Sequence, residues 1–279
     1  MRCKLLIIVL STVLLTSCST HSSSNAVSFN HSKETVLMAK TELPNDFIPQ
    51  NITIVSAGDS LTEGVGDSTN RGGYTHYLKE NLEKDKGINE AHFYNFGVKG
   101  NRSDQLLKRL NSNKVKTAIG DADFVILTIG GNDMMKVVQE NFSNLNMQAF
   151  QEQKLIYKDN LEQAVTIIRE ENPRSMVVLV GLYNPFLKWF ANITEINQIV
   201  DDWNETSKNV LAKFPDTYFV EIDDLFENNS EDLLFKDYFH PNDKGYELIA
   251  VRVYETLKEE ALLKLPNKYY TEGNGENES

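Results

Sequence analysis

Cysteine is nearly missing from this chain. There are two in 279 residues, Cys3 and Cys18, both near the start. That excludes a disulfide framework and any CxxC redox or zinc module. HExxH and GxxxxGK[ST] patterns are also missing, so no metal, nucleotide or other cofactor is implied. Positive charge is scarce: 28 Lys and Arg face 40 Asp and Glu, for a net charge of −12, or −14 without Arg2 and Lys4. No basic stripe appears, so nucleic acid is not a partner. Net charge would not recruit anionic headgroups or wall polymers either. The one long apolar run, Leu5 to Leu15, is too short to span a bilayer comfortably. No internal repeat is present. Histidine is limited to five residues, which narrows any search for a catalytic base.

What is present begins with an export signal. Arg2 and Lys4 form a short basic region ahead of the apolar run. The run ends in Leu15-Thr16-Ser17-Cys18, which resembles a bacterial lipobox. The resemblance implies cleavage before Cys18, a lipid on its sulfur, and an exported lipoprotein anchored on the extracytoplasmic face of the cell membrane. The alternatives are an uncleaved anchor or an ordinary secretory signal. A cysteine left over after Cys3 is discarded cannot make an internal disulfide, which favours the lipid. Residues 19–46, rich in Ser, Asn, Thr and His, read as a flexible tether. His21 and His31 lie there without further ligands and read as solvated. Leu43 to Pro49 is expected to dock on the domain, which spans 47–265. Residues 266–279 read as a disordered acidic tail.

Within the domain, apolar β-branched runs predict five strands: Ile52–Ala57, His92–Phe96, Phe124–Ile129, Met176–Val180 and Tyr218–Ile222. Helical periodicity predicts Tyr74–Lys86, Asp104–Ala118, Gln148–Glu171, Ile196–Phe214 and a last helix from about Lys244 to Leu263. Asn172-Pro173 stops the third of these. Alternating strands and helices imply an α/β fold with a five-stranded parallel sheet covered on both faces.

The chain centres on Gly58-Asp59-Ser60-Leu61-Thr62-Glu63-Gly64, which follows the first strand. A serine there sits on the strand edge where open α/β sheets place ligands. The second strand runs into Asn95-Phe96-Gly97-Val98-Lys99-Gly100-Asn101-Arg102-Ser103, the third into Gly130-Gly131-Asn132-Asp133. In a parallel sheet these turns share one edge. The Ser60 and Gly100 N–H groups and the Asn132 side-chain amide are three donors able to converge on one oxygen anion. Each taken singly is equally a turn or capping residue, and Asp133 and Ser103 read as helix caps. A nucleophilic serine needs a base, and the base an orienting carboxylate. His76 falls in a helix and His92 in a strand, where packing or surface roles are commoner. His240 lies in a loop, in Asp237-Tyr238-Phe239-His240-Pro241. There Asp237 can reach Nδ1 and leave Nε2 toward Ser60.

These four blocks, in this order, resemble the SGNH (GDSL) hydrolases over about residues 50–262: Gly58-Asp59-Ser60-Leu61, Gly100, Gly130-x-Asn132-Asp133, and Asp237-x-x-His240. The resemblance implies a flavodoxin-like three-layer α/β/α sandwich and ester hydrolysis. It implies Ser60 as nucleophile, His240 as base, Asp237 as its orienter, and Ser60, Gly100 and Asn132 as the oxyanion hole. Two positions after Gly100, where many members carry a small hydroxyl residue, stands Arg102, with Ser103 next. The α/β-hydrolase elbow Gly-x-Ser-x-Gly does not match, because Thr62 holds its last position. The aromatic stretch Leu182–Phe190 is either a wall of an acyl groove beside Ser60, with Met134 and Met135, or ordinary core. The expected substrate is a small ester or lipid, as for a lysophospholipase or short-acyl esterase. The alternatives are an O-deacetylase of wall or capsular polysaccharide and a catalytically silent surface lipoprotein. The intact Ser, His and Asp set argues against the last.

Cys18→Ala is expected to abolish incorporation of a fatty-acid label in cells and to leave uncleaved precursor or shed protein, whereas the lipidated protein stays in the salt-washed membrane fraction. Undiminished labelling of the variant would contradict the lipobox reading.

Overall fold

The computed structural model describes residues 49–141, 147–185, 194–227 and 230–265. The signal segment with Cys18, the tether, Leu43 to Ile48, the aromatic residues 186–190 and the tail lie outside the described residues.

Five parallel strands form one sheet: β1 (Gln50–Gly58), β2 (Ile88–Gly97), β3 (Phe124–Thr128), β4 (Met176–Val180) and β5 (Thr217–Val220). Their order is β2-β1-β3-β4-β5. The helices are α1 (Ser60–Glu63), α2 (Tyr74–Leu82), α3 (Ser103–Leu110), α4 (Asn113–Gly120), α5 (Gly131–Glu140), α6 (Met147–Glu171), α7 (Thr194–Leu211), α8 (Asp223–Glu227), α9 (Ser230–Leu233) and α10 (Asp243–Thr256). Alternation along the strands sorts the core. Ile52, Ile54, Ile126 and Val178 face α2 and α10, where they meet Leu78 and Tyr246. Val55, Ala57, Leu127 and Leu179 face the opposite layer, with Leu106, Leu161 and Trp203. The result is the expected three-layer α/β/α sandwich. Strands β3 and β4 are buried throughout, which is why they read as unbroken apolar runs. Among the described residues, no helix is long and apolar enough to cross a membrane.

Where the elements differ from expectation, local chemistry explains it. Strand β2 begins four residues early, at Ile88, because it is an edge strand. Its exposed positions carry Asn89, Glu90 and His92, and period-2 hydrophobicity is lost there. The single helix expected over 104–118 is two, α3 and α4. Asn111 Nδ2 donates to the Leu107 carbonyl at 3.0 Å and Ser112 Oγ to that of Arg109 at 2.7 Å, and these side chains compete with the helix ladder. Helix α2 stops at Leu82, before a turn in which Asp85 accepts from the Gly87 N–H at 2.9 Å. Strands β3 and β5 end at Thr128 and Val220, one and two residues sooner than expected. Helix α5 was not expected, since Gly130-Gly131-Asn132-Asp133 reads as a turn. The last helix continues past Thr256 through a π-helical turn (Leu257–Ala261) and a short 3₁₀ turn.

The chain crosses from β2 over β1 to β3, so the strand order reverses between β1 and β3. Residues following those two strands therefore flank the crevice where such sheets bind ligands. The two strands are in close apposition at their ends, where Gly58 pairs with Thr128. A Cβ on Gly58 would lie 2.2 Å from the Thr128 carbonyl oxygen. Gly58→Ala is therefore expected to destabilise the fold by about 1–3 kcal/mol, as overpacking does. Gly120→Ala, at a position where a Cβ meets nothing within 4 Å, should be neutral or mildly stabilising. Urea unfolding of both variants is the measurement.

Candidate active site

Asp59 is the N-cap of the one-turn helix α1. Its Oδ1 accepts from the Leu61 N–H at 3.0 Å and from the Thr128 hydroxyl at 3.0 Å, while its own N–H donates to the Thr128 carbonyl at 3.0 Å. The Thr128 hydroxyl lies 2.7 Å from that of Thr62, which lies 3.2 Å from the Tyr74 hydroxyl. This buried chain fixes α1 against β3 and α2. Ser60 is the first residue of α1 and is 2% exposed. As in any first turn, its N–H has no helical acceptor, and it has no other protein acceptor among the described residues.

His240 arrives from the far end of the chain. Its Nε2 lies 2.9 Å from Ser60 Oγ, and its Nδ1 lies 2.7 Å from Asp237 Oδ2. The other Asp237 oxygen accepts from the Phe239 and His240 N–H groups at 3.0 Å each. One tight turn thus holds both groups, with Tyr238 forced to φ 54°, a left-handed conformation that costs a tyrosine energy. The turn is held from outside. Tyr183 donates to the Phe239 carbonyl at 2.6 Å, the Phe235 N–H donates to the His240 carbonyl at 2.7 Å, and Asn242 caps α10 through the Gly245 N–H. Burial pushes the Asp237 carboxyl up, but the bonds from the imidazole and the two N–H groups outweigh it, so Asp237 is held below its ordinary value. With Asp237 ionised, the imidazole places its proton on Nδ1 and leaves Nε2 free to accept from the serine hydroxyl.

The other strand ends complete the edge. Gly100 has φ 78°, and its N–H has no protein acceptor among the described residues. Asn132 Nδ2 spends one N–H on the Asn101 carbonyl at 3.0 Å and has a second to offer. Asn132 and Ser60 border the same groove. Asp133 and Ser103 do not cap their own helices, whose N-caps are Gly130 and Arg102. Asp133 sits inside the first turn of α5 and reaches across to α3. It accepts from the Ser103 N–H at 2.9 Å and from its hydroxyl at 2.6 Å, which ties the second strand end to the third. Arg109 was not singled out by sequence. It donates to the Gly58 carbonyl at 3.1 Å, the Asn101 Oδ1 at 3.0 Å and the Phe96 carbonyl, pinning the ends of β1 and β2. No motif marks it; only its spacing on α3 could have suggested an inward face.

The groove beside Ser60 is walled by Met134, Met135, Leu182, Tyr183, Pro185 and Phe239. The described part of the aromatic stretch is both wall and core, since Tyr183 also stacks on Phe226 with ring centroids 4.0 Å apart. His76 lies against Tyr77 and His92 is on the edge strand; neither bonds to Ser60. Among the described residues, no group of three His, Cys, Asp or Glu could hold a metal ion.

The sequence model of the GDSL-like lipase/acylhydrolase family matches residues 56–248, a span that contains Ser60, Gly100, Asn132, Asp237 and His240. The chain belongs to that family of ester hydrolases. It is 42% identical over 217 residues to the uncharacterized protein YpmR of Bacillus subtilis (strain 168), covering 77% of this chain and 85% of that one. It is 26% identical over 200 residues to the spore germination lipase LipC of Bacillus licheniformis, covering 70% and 92%. The crystal structure of the lipase Lip_vut3 from a goat rumen metagenome shares the fold, with a TM-score of 0.67, 24% identity, and coverage of 74% of this chain and 97% of that one.

Asp59 offers a test of the site's electrostatics. Burial dominates its environment and raises its carboxyl from an ordinary 3.8 to about 7, against the pull of the Leu61 and Thr128 bonds. The folded state therefore binds a proton that the unfolded state has released between those two values. By linkage, stability falls as pH rises from about 4 to 7, and the cost is fully present above that. Asp237 and Asp67, held low, work in the opposite sense, but only as pH falls below the ordinary carboxylate value. Asp59→Asn should reduce the slope of unfolding free energy between pH 4 and 7, leaving the part that comes from Asp133 and Asp223, whose carboxyls burial also pushes up. An unchanged slope in urea titrations would show that Asp59 is ionised throughout.

Proposed function

We propose that Ser60 is the nucleophile of a serine esterase acting on lipid-type or short-acyl esters. The observation that carries this is the unbroken line from Asp237 Oδ2 to His240 Nδ1, at 2.7 Å, and from His240 Nε2 to Ser60 Oγ, at 2.9 Å. Ser60 Oγ attacks the ester carbon as its proton passes to His240 Nε2, and Asp237 stabilises the imidazolium. The carbonyl π electrons move onto oxygen, where the N–H groups of Ser60 and Gly100 and the Asn132 amide receive the charge. Collapse expels the alcohol, which takes the proton from His240. Water then attacks the acyl-serine with His240 again as base, releasing the acid and restoring Ser60. The acyl group lies in the groove of Met134, Met135, Leu182 and Tyr183. Those apolar walls favour an acyl chain over an acetylated glycan lying on an open shelf. The name of the related protein LipC, a lipase, supports the same substrate class. The lipobox-like sequence at Cys18 supports a membrane-anchored, extracytoplasmic site of action.

Ser60→Ala and His240→Ala should each nearly abolish hydrolysis of p-nitrophenyl esters while circular dichroism stays native. The double variant should be hardly worse than either, because the groups act as one unit. Asn132→Ala should cost roughly 10²–10³-fold in kcat with much less change in KM. Wild-type activity in folded Ser60→Ala would end the assignment, and a pure KM effect at Asn132 would remove it from the oxyanion hole.

A further inference from the structure

Asn132 borders two cavities. One is the apolar groove beside Ser60. The other is a polar cavity of about 430 Å³, with Gly100, Arg102, Lys136, Gln139 and Glu140 among its walls. Met135 is also common to both, so the two run on either side of the same short stretch of α5. An ester has two arms that diverge from one carbonyl carbon. If that carbon lies at Ser60, an acyl arm in the apolar groove leaves the polar cavity for the alcohol arm. Resting on the esterase reading above, we propose that this second cavity receives the alcohol portion of the ester and selects one that bears a phosphate.

The charges in the cavity carry the choice. Arg102 and Lys136 bring two cations to its wall. Arg102 is half-buried and gives Nε and Nη2 to Asp104 at 3.1 and 3.4 Å, which leaves Nη1 without a partner among the described residues. Lys136 bonds only the neutral Gln153 Oε1, at 3.4 Å, among the described residues. Glu140 is the one carboxylate of the wall among the described residues. It is the exposed last residue of α5, where water screens it. Lys136, which no carboxylate bonds among the described residues, and the free Nη1 of Arg102 are two cationic donors open to an anion entering the cavity. The chain as a whole carries −12, so long-range attraction does not bring an anion here and recognition must be local. A phosphate a few bonds from the ester oxygen can accept from Lys136 Nζ and Arg102 Nη1. Charge-assisted bonds of this kind are the strong ones. This also gives Arg102, the departure from the small hydroxyl residue common at its position, a role in specificity.

The test compares 1-octanoylglycerol with 1-octanoylglycerol 3-phosphate, both below their aggregation thresholds, and the two corresponding acetyl esters. The readout is the ratio of kcat/KM for the phosphate ester to that for its neutral partner. The wild type should favour the phosphate by about tenfold or more, as expected for one charge-assisted contact, and less so at high salt, because the cavity is open to solvent. Lys136→Gln and Arg102→Gln should each lower the ratio severalfold, chiefly through KM of the phosphate ester. Lys136→Arg should keep most of it, and Glu140→Gln should raise it. A larger ratio in the octanoyl pair identifies a lipid headgroup as the source of the phosphate, and a larger ratio in the acetyl pair an acetylated polyol phosphate; either sustains the subsite. A ratio near one in the wild type, or one that Lys136→Gln and Arg102→Gln leave unchanged, overturns it. Loss of both hydrolyses in Ser60→Ala alongside such a result would show that only the subsite fails and the esterase reading stands.

Discussion

The close pairing of Gly58 with Thr128 is the constraint on which the rest of the site depends. With no side chain on Gly58, β1 and β3 approach until the Asp59 N–H meets the Thr128 carbonyl. The Thr128 hydroxyl then reaches both the Asp59 carboxylate and the Thr62 hydroxyl. Helix α1 is only one turn long and would not persist alone, since helix nucleation is costly. It holds its shape because its N-cap and its third residue are both tied to the end of the neighbouring strand. Ser60 inherits that rigidity, and so does its N–H, which the proposed oxyanion hole requires to be fixed before any charge develops.

Two aspartates near Ser60 show how environment divides one chemistry into two roles. Asp59 is buried, accepts few hydrogen bonds and is drawn toward the neutral acid. Asp237 accepts two backbone N–H bonds and an imidazole N–H, and is kept ionised. The first suits a structural cap that need not carry charge. The second suits a group that must stabilise a transient imidazolium. The left-handed Tyr238 is the local cost of placing Asp237 and His240 on one turn, and Tyr183, Phe235 and Asn242 offset it from three directions.

The layout of the sheet and the meeting of Ser60, Asp237 and His240 were legible in the sequence. Buried parallel strands such as β3 and β4 write themselves as continuous apolar runs, and Asp-x-x-His before a helix is a compact local signal. The long edge strand β2 was only half legible, because an exposed edge has no reason to keep a hydrophobic period. Helix α5 was hidden by its opening glycines, one of which must adopt φ 115° to leave β3. Asp133 was misread as a cap of its own helix because its partner, Ser103, lies thirty residues away and across the layer. Arg109 carried no motif, since its work of holding the Gly58 and Phe96 carbonyls is done through backbone atoms that sequence does not mark.

The central claim is that Ser60 alone is made nucleophilic, by His240 held on Asp237. Reaction of the folded protein with a fluorophosphonate, followed by mass spectrometry of the digested adduct, measures this without any choice of substrate. One phosphonyl group per chain is predicted, on the Ser60 hydroxyl, with the reaction rate collapsing in His240→Ala. A phosphonylated residue elsewhere with Ser60 unmodified, or equal labelling of Ser60 without His240, would contradict the account.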